Sequence, residues 1–145
     1  QRANDLGVDA IHDFMKPWGF GQITGIDVEG EQTGILPSTA WKERRFKQKW
    51  YPGETISIGI GQGYNSFTLL QLAHATANLA NDGVVMKPHL VKEVEDARTG
   101  VKRLTVPKES YRIPVKPEHM KFVRDAMVDE RHSDPVLTSI QTGQF

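Results

Sequence analysis

Apolar residues recur at helical spacing between Leu69 and Ala80. Leu69, Leu72, Ala73, Thr76, Leu79 and Ala80 fall on one face, which predicts an amphipathic helix. Its start is marked locally. Thr68 stands at the cap position and Gln71 three residues later, the pattern of a capping box. Phe67, just before the cap, is placed to staple onto Leu72. The helix should stop near Asn81-Asp82, with Gly83 as the left-handed residue beyond its end. Immediately upstream, Thr55-Ile56-Ser57-Ile58 alternates polar and apolar, the period of a half-buried strand. Gly59, Gly61 and Gly63 then form a glycine loop around Gln62, read as a tight strand-to-helix connection.

The same reading covers the rest of the chain. Val8 to Lys16 predicts a short helix with Ile11, Phe14 and Met15 on one face, ended by Pro17. The glycine-rich stretch from Gly19 to Pro37 predicts an irregular loop. Ser38 is placed to cap a one- or two-turn helix through Trp41 to Phe46. Val84-Val85-Met86 reads as extended. Leu90 to Glu95 and Val101 to Val106 predict a β-hairpin around the loop Asp96 to Gly100. Pro117 with Glu118 opens a last helix whose face is Met120, Val123, Ala126 and Met127. From Asp129 onward no periodicity is evident.

Composition narrows the class. An apolar fraction of 38% and a charged fraction of 25% suit a folded globular chain. Basic and acidic residues balance at 18 each, so nothing in the charge argues for nucleic acid as a partner. The basic run Lys42 to Lys49 reads as a solvated helix face or loop. The absence of cysteine removes disulfides and thiolate chemistry from consideration. No apolar run approaches the ~20 residues that span a bilayer, so this segment is not expected to cross a membrane. Gln1 to Leu6 carries no start signal and reads as the end of a helix already under way. The sequence is therefore expected to be a segment of a longer chain.

Several stretches together resemble a known family. They are Trp50-Tyr51-Pro52-Gly53-Glu54-Thr55, Gly59-Ile60-Gly61-Gln62-Gly63-Tyr64 and Thr68-Leu69-Leu70-Gln71-Leu72-Ala73. Upstream stand Phe20-Gly21-x-x-Thr24-Gly25-Ile26-Asp27, Leu36-Pro37-Ser38 and Trp41-Lys42; downstream stand Asn81-Asp82-Gly83 and Pro88-His89-Leu90. The combination resembles the transpeptidase domain of the elongation-specific class B penicillin-binding proteins, the penicillin-binding protein 2 type of Gram-negative bacteria. The resemblance is strong over residues 1–128 and weak over 129–145, and it implies that residues 1–145 are part of a single transpeptidase domain. It implies a mixed α/β fold of the penicillin-binding and serine-β-lactamase type, to which this chain contributes mainly helices plus a β-hairpin. It also implies a peptidoglycan D,D-transpeptidase at the periplasmic face of the inner membrane, anchored from outside this segment. Implied partners are peptidoglycan stem peptides, β-lactams and membrane proteins of the elongation machinery.

Candidate chemistry is sparse. Enzymes of this superfamily use a Ser-x-x-Lys nucleophile, a Ser-x-Asn/Asp motif and a Lys-Thr/Ser-Gly strand. None of Ser38, Ser57, Ser66, Ser110, Ser133 and Ser139 begins either serine motif. By the resemblance, both precede Gln1, and no catalytic residue is expected in this chain. Gln141-Thr142-Gly143 looks like a degenerate Lys-Thr-Gly, which makes Thr142 and Gly143 candidate substrate-binding residues. Glutamine there supplies no cation for a substrate carboxylate. Arg98-Thr99-Gly100 falls in the predicted hairpin loop and reads as turn chemistry. The glycine loop fails the dinucleotide fingerprint at Tyr64 and has no P-loop ending.

His12, His74, His89, His119 and His132 include no pair at i,i+4, so neither a metal site nor a cofactor is expected. The carboxylate pairs Asp27/Glu29 and Glu93/Glu95 read as solvated turns and strand faces. Trp18, Phe20, Trp41, Phe46, Trp50 and Tyr51 read as a satellite core under long loops, with Trp50 and Tyr51 the candidates for lining a peptide groove. Gly59, Gly61, Gln62, Gly63, Thr68 and Gln71 read as structural. Two other classes stay open at this point: a catalytically inactive binding or regulatory module on the same fold, and an unrelated structural domain.

Overall fold

The computed structural model describes residues 2–133, the last five of these by backbone alone. Six α-helices and four short strands follow in chain order: α1 (Arg2–Leu6), α2 (Val8–Met15), a 3-10 turn (Lys16–Trp18), α3 (Thr39–Phe46), α4 (Pro52–Gly59), α5 (Leu69–Ala80), β1 (Val84–Met86), β2 (Glu93–Glu95), β3 (Lys102–Leu104), β4 (Glu109–Arg112) and α6 (Pro117–Ser133). The core gathers Trp18, Phe20, Leu36, Ala75, Val85, Ile113 and Met120 from helices, loop and strands, with Met15, Phe67, Leu79 and Val115 packed at its edge.

The local signals place most elements. Ser38 accepts a hydrogen bond from the Trp41 N–H and starts α3. Thr68 and Gln71 form a reciprocal capping box at the start of α5. Past its end Asp82 and Gly83 both take positive φ. The predicted hairpin forms between β2 and β3, with Glu93 opposite Leu104 and Glu95 opposite Lys102. Its loop is an Asx turn in which Asp96 accepts from the N–H groups of Arg98 and Thr99.

Four expectations are corrected. Residues Thr55 to Ile58 are helical, not a strand. Tyr51 is extended, Pro52 stands in the first turn, and Glu54 accepts from the Tyr51 N–H. This start chemistry outweighs the β preference of a four-residue alternation. Thr55 and Ile58 are then buried three apart, while Ile56 faces solvent. Second, the buried face of α5 is Gln71, Ala75 and Asn78, rather than the leucine face. Leu69 and Leu72 are 86% and 54% exposed. Third, of the predicted face of α6 only Met120 is buried; Val123, Ala126 and Met127 are exposed. Fourth, Lys42 is not solvated but 1% exposed.

One strand had no counterpart in the sequence reading. β4 pairs antiparallel with β1, Val84 opposite Arg112 and Val85 opposite Tyr111, with a bulge before Met86. The Tyr111 hydroxyl donates to the Pro17 carbonyl at 2.8 Å and fastens this ribbon to the 3-10 turn. The hairpin β2–β3 is an excursion between β1 and β4. It leaves and returns where the Lys87 N–H donates to the Lys108 carbonyl at 2.9 Å.

The loop from Gly19 to Pro37 is irregular, as expected, and is held by side chains. Gln71, 0% exposed, donates from Nε2 to the carbonyls of Gln22 and Thr33 at 2.7 and 2.8 Å. Glu31 accepts from the N–H groups of Thr24 and Gly25. Asp27 accepts from the N–H groups of Leu90 and Val91 at 2.7 and 3.0 Å, joining the loop to the base of the hairpin. Ile35 and Ser66 exchange backbone bonds.

Candidate functional site

The densest chemistry lies where α3 meets the start of α4. Ser38 sets the phase of α3, and Lys42, one turn on, points inward. Its ammonium pairs with the Glu54 carboxylate, in the third position of α4. The same carboxylate accepts from the Tyr64 hydroxyl at 3.2 Å and from the Tyr51 N–H at 2.9 Å. Aromatic faces close around the ammonium: it lies 4.6 Å from the Tyr51 ring centroid, 5.7 Å from Trp50 and 5.8 Å from Tyr64. Such faces attract a cation that has lost its water.

Further ring contacts complete the box. Tyr64 contacts Trp41, Phe46 and Trp50 at centroid separations of 5.3, 5.7 and 6.0 Å. Trp50 is oriented by its Nε1–H, which donates to Thr55 Oγ1 at 2.8 Å. The satellite aromatic cluster therefore comprises Trp41, Phe46, Trp50, Tyr51 and Tyr64, while Trp18 and Phe20 belong to the main core. Burial pushes the Glu54 carboxyl up, but the hydrogen bonds from Lys42, the Tyr51 N–H and Tyr64, with the Lys42 charge, outweigh it and hold the group below its ordinary value.

The glycine loop runs from the last residue of α4 to Tyr64 of this box. Gly61 and Gly63 have φ of 76° and 74°, the left-handed region that favours glycine. At Gly63 a Cβ would also stand 3.3 Å from Ser57 Cβ, whereas at Gly61 it would meet nothing within 4 Å. Gly59 has ordinary helical geometry, and its lack of a side chain lets α1 approach: an added Cβ would stand 2.4 Å from Ala3 Cβ. Gln62 closes the turn through its N–H, which donates to the Ser57 carbonyl at 2.9 Å. At the start of α5, Thr68 and Gln71 fix the other end of the loop.

Of the residues singled out from the sequence, Trp50 and Tyr51 come together with the ion pair, Tyr51 half exposed and Trp50 more covered. Thr142 and Gly143 lie outside the described residues. Sequence reasoning missed Lys42, Glu54 and Tyr64 as one constellation. The available signal was an acidic residue at the third position after a Tyr-Pro helix start, facing a basic run twelve residues upstream. On the far side of α3 a mixed-polarity cleft of about 930 Å³ is lined by Asp9, Asp13, Lys16, Ser38, Arg44 and Arg45, among others. Among the described residues no group of three or more histidine or acidic side chains is placed to hold a metal ion. What the arrangement does chemically is to tie α3 to the start of α4 through the Lys42–Glu54 pair.

The sequence pattern of the penicillin binding protein transpeptidase domain matches residues 1–143. The chain belongs to this family. A peptidoglycan D,D-transpeptidase MrdA of Haemophilus influenzae is 46% identical over 97 residues, 67% of this chain and 15% of that protein. The crystal structure of Pseudomonas aeruginosa PBP2 in complex with WCK 5153 superposes with a TM-score of 0.76 at 40% identity, covering 90% of this chain and 29% of that one. A complex between PBP2 and MreC from Helicobacter pylori gives a TM-score of 0.63 at 27% identity, covering 84% of this chain and 20% of that one. The penicillin-binding transpeptidase fold is thereby shown. The segment spans about 15% of the length of the curated relative above. No helix among the described residues is long and apolar enough to cross a membrane.

Proposed function

We propose that the intact protein is a peptidoglycan D,D-transpeptidase that cross-links stem peptides during cell elongation, and that residues 1–145 are part of its single transpeptidase domain. The observation that carries this reading is the 46% identity to a protein of that name over 97 residues. The family chemistry is acyl transfer. A serine hydroxyl attacks the D-Ala-D-Ala carbonyl, the terminal D-alanine leaves, and an amine of a second stem peptide takes the acyl group. β-Lactams stop the cycle at the acyl-enzyme.

In this reading the segment holds a wall of the active site and contributes no nucleophile. Trp50 and Tyr51 serve mainly to enclose the Lys42–Glu54 pair, which their packing around the ammonium supports. Thr142 and Gly143 are carried forward as substrate contacts on sequence grounds alone. The working place is the periplasmic face of the inner membrane, with elongation-machinery membrane proteins as partners. The named complex of a related PBP2 with MreC supports that kind of partner.

Labelled penicillin tests the proposal. The full-length protein is expected to take up a stoichiometric label that survives denaturation and is lost when the serine of its Ser-x-x-Lys motif is replaced. Residues 1–145 alone are expected to take up none. An unlabelled full-length protein that is correctly folded would favour an inactive module on the same fold.

A further inference from the structure

The mixed-polarity cleft beside α3 has two charged walls and a clamped floor. On one wall α2 supplies Asp13 and the 3-10 turn supplies Lys16; on the other α3 supplies Arg44 and Arg45. Asp9 fixes the spacing of the walls at one end. Its two carboxylate oxygens accept from the Thr39 N–H and hydroxyl at 2.9 and 2.7 Å. The floor is the stretch from Thr33 to Leu36. Ile35 is bonded to Ser66 through both its N–H and its carbonyl, and the His12 Nδ1–H is shared by the carbonyls of Leu36 and Pro37, each at 3.2 Å. Asp13, Lys16, Arg44 and Arg45 are all exposed. Among the described residues none of their four charged groups takes part in an ion pair or a hydrogen bond; the Arg45 guanidinium lies 5.8 Å from the Phe46 ring centroid.

We infer that this cleft binds a short extended peptide that carries both carboxylates and a free amine, the chemistry of a peptidoglycan stem peptide. The planar forks of Arg44 and Arg45 take carboxylates, and Asp13 on the facing wall takes the amine. Lys16 tips the balance, so the ligand carries more carboxylates than amines. Three observations select this occupant. The volume of about 930 Å³ falls in the range of roughly 300–1,000 Å³ that encloses small ligands, whereas a folded partner needs a broad patch. A phosphate group or an anionic lipid surface would match the arginines but be repelled by Asp13, and an apolar segment would strip water from four charges without pairing them. The clamps at Asp9, His12 and Ile35 hold walls and floor before any ligand arrives, so little ordering is left for binding to bring about. The charge pattern alone calls for a zwitterionic peptide. Naming it a stem peptide rests on the proposed activity, in which that peptide offers a terminal carboxylate and the amine that accepts the acyl group.

The test uses the full-length protein incubated with saturating penicillin, so that binding at the nucleophile does not contribute. The probe is an N-acetylated tetrapeptide with two free carboxylates and one free lysine amine. Its binding is measured by calorimetry against the parent, Asp13→Asn and the double variant Arg44→Gln/Arg45→Gln. The double variant is expected to bind the probe at least ~10-fold more weakly, as for the loss of a charge-assisted hydrogen bond. Asp13→Asn is expected to lose ~10-fold for the same probe. With the lysine amine acetylated, the parent should bind as weakly as Asp13→Asn does, and Asp13→Asn should lose nothing further. That pairing of variant with ligand is a readout that misfolding does not produce. Equal affinity of the three proteins for the free-amine probe would overturn the inference. So would tighter binding by Asp13→Asn, which marks a plain anion site, or binding of inorganic phosphate or anionic phospholipid vesicles in place of the peptide. Penicillin uptake by the same samples keeps the two claims apart: uptake without peptide binding overturns the cleft alone, and peptide binding by a folded protein that takes up no penicillin overturns the activity alone.

Discussion

Lys42 and Glu54 face each other across the junction of α3 and α4, the ammonium 1% exposed and its carboxylate partner shared with a backbone N–H and a tyrosine hydroxyl. A buried charge stripped of its partner is far costlier than a pair removed together. Lys42→Met and Glu54→Gln are each expected to destabilise the full-length protein by ~3–5 kcal/mol. The double variant should lose clearly less than the sum of the two. Chemical denaturation of the four proteins measures the coupling, and simple additivity would show that the pair is not a closed unit.

Gln71 makes a second prediction. Its Nε2 serves the carbonyls of Gln22 and Thr33, and both lose a donor in Gln71→Met. The expected cost is ~1–3 kcal/mol for each acceptor left dry. Gln71→Glu should be worse at neutral pH, because a carboxylate then faces two carbonyl oxygens. Protonation relieves that repulsion, so the gap between the Glu and Met variants is expected to narrow as pH falls. A gap that stays constant between pH 7 and pH 4 would show that the side chain has turned away.

The glycine loop separates geometry from contact. Gly61→Ala meets no atom within 4 Å but keeps a φ of 76°, so its expected cost is the ~1–2 kcal/mol of a left-handed alanine. Gly63→Ala should cost more, because its new Cβ also lies 3.3 Å from Ser57 Cβ. Penicillin acylation should weaken in step with stability. Unchanged melting temperatures with acylation abolished in both variants would mean that the loop touches substrate directly.

Asp27 gives a pH dependence. The N–H groups of Leu90 and then Val91 hold its carboxyl below the ordinary value of 3.8. A depressed carboxyl stabilises the fold fully above its unfolded value and loses that contribution as pH falls through the folded one. Asp27→Asn is therefore expected to lower the melting temperature at pH 7, with the difference from the parent shrinking below pH ~4. The same difference at pH 7 and pH 3 would remove the ionised carboxylate from the clamp.

What was legible in the sequence was what is encoded within a few residues. The Thr68–Gln71 box, the Ser38 cap, the Pro117 start and the Asp96 turn each carry their signal inside one turn or one hairpin. The errors came from partners far along the chain. Lys42 reads as one more surface cation until Glu54 is folded against it. Gln71 and Asn78 look like the wet side of α5 until the carbonyls of Gln22, Thr33 and Trp18 arrive to meet them. β4, Glu-Ser-Tyr-Arg, has no apolar alternation, and its pairing is set by β1. Of the constellation at α3 and α4, the aromatic residues Trp50 and Tyr51 were visible, while the charges and Tyr64 were not.

The hydrogen bond from the Lys87 N–H to the Lys108 carbonyl closes the base of the β2–β3 excursion independently of its tip. Loop closure becomes only slightly harder with length, by ~0.6 kcal/mol for each doubling. Residues added near Thr99 therefore leave the two ends where they are and the core unread by the change. That makes the hairpin tip a grafting point: an epitope or fluorophore placed there would report where the protein is in a growing cell while its packing stays as it was.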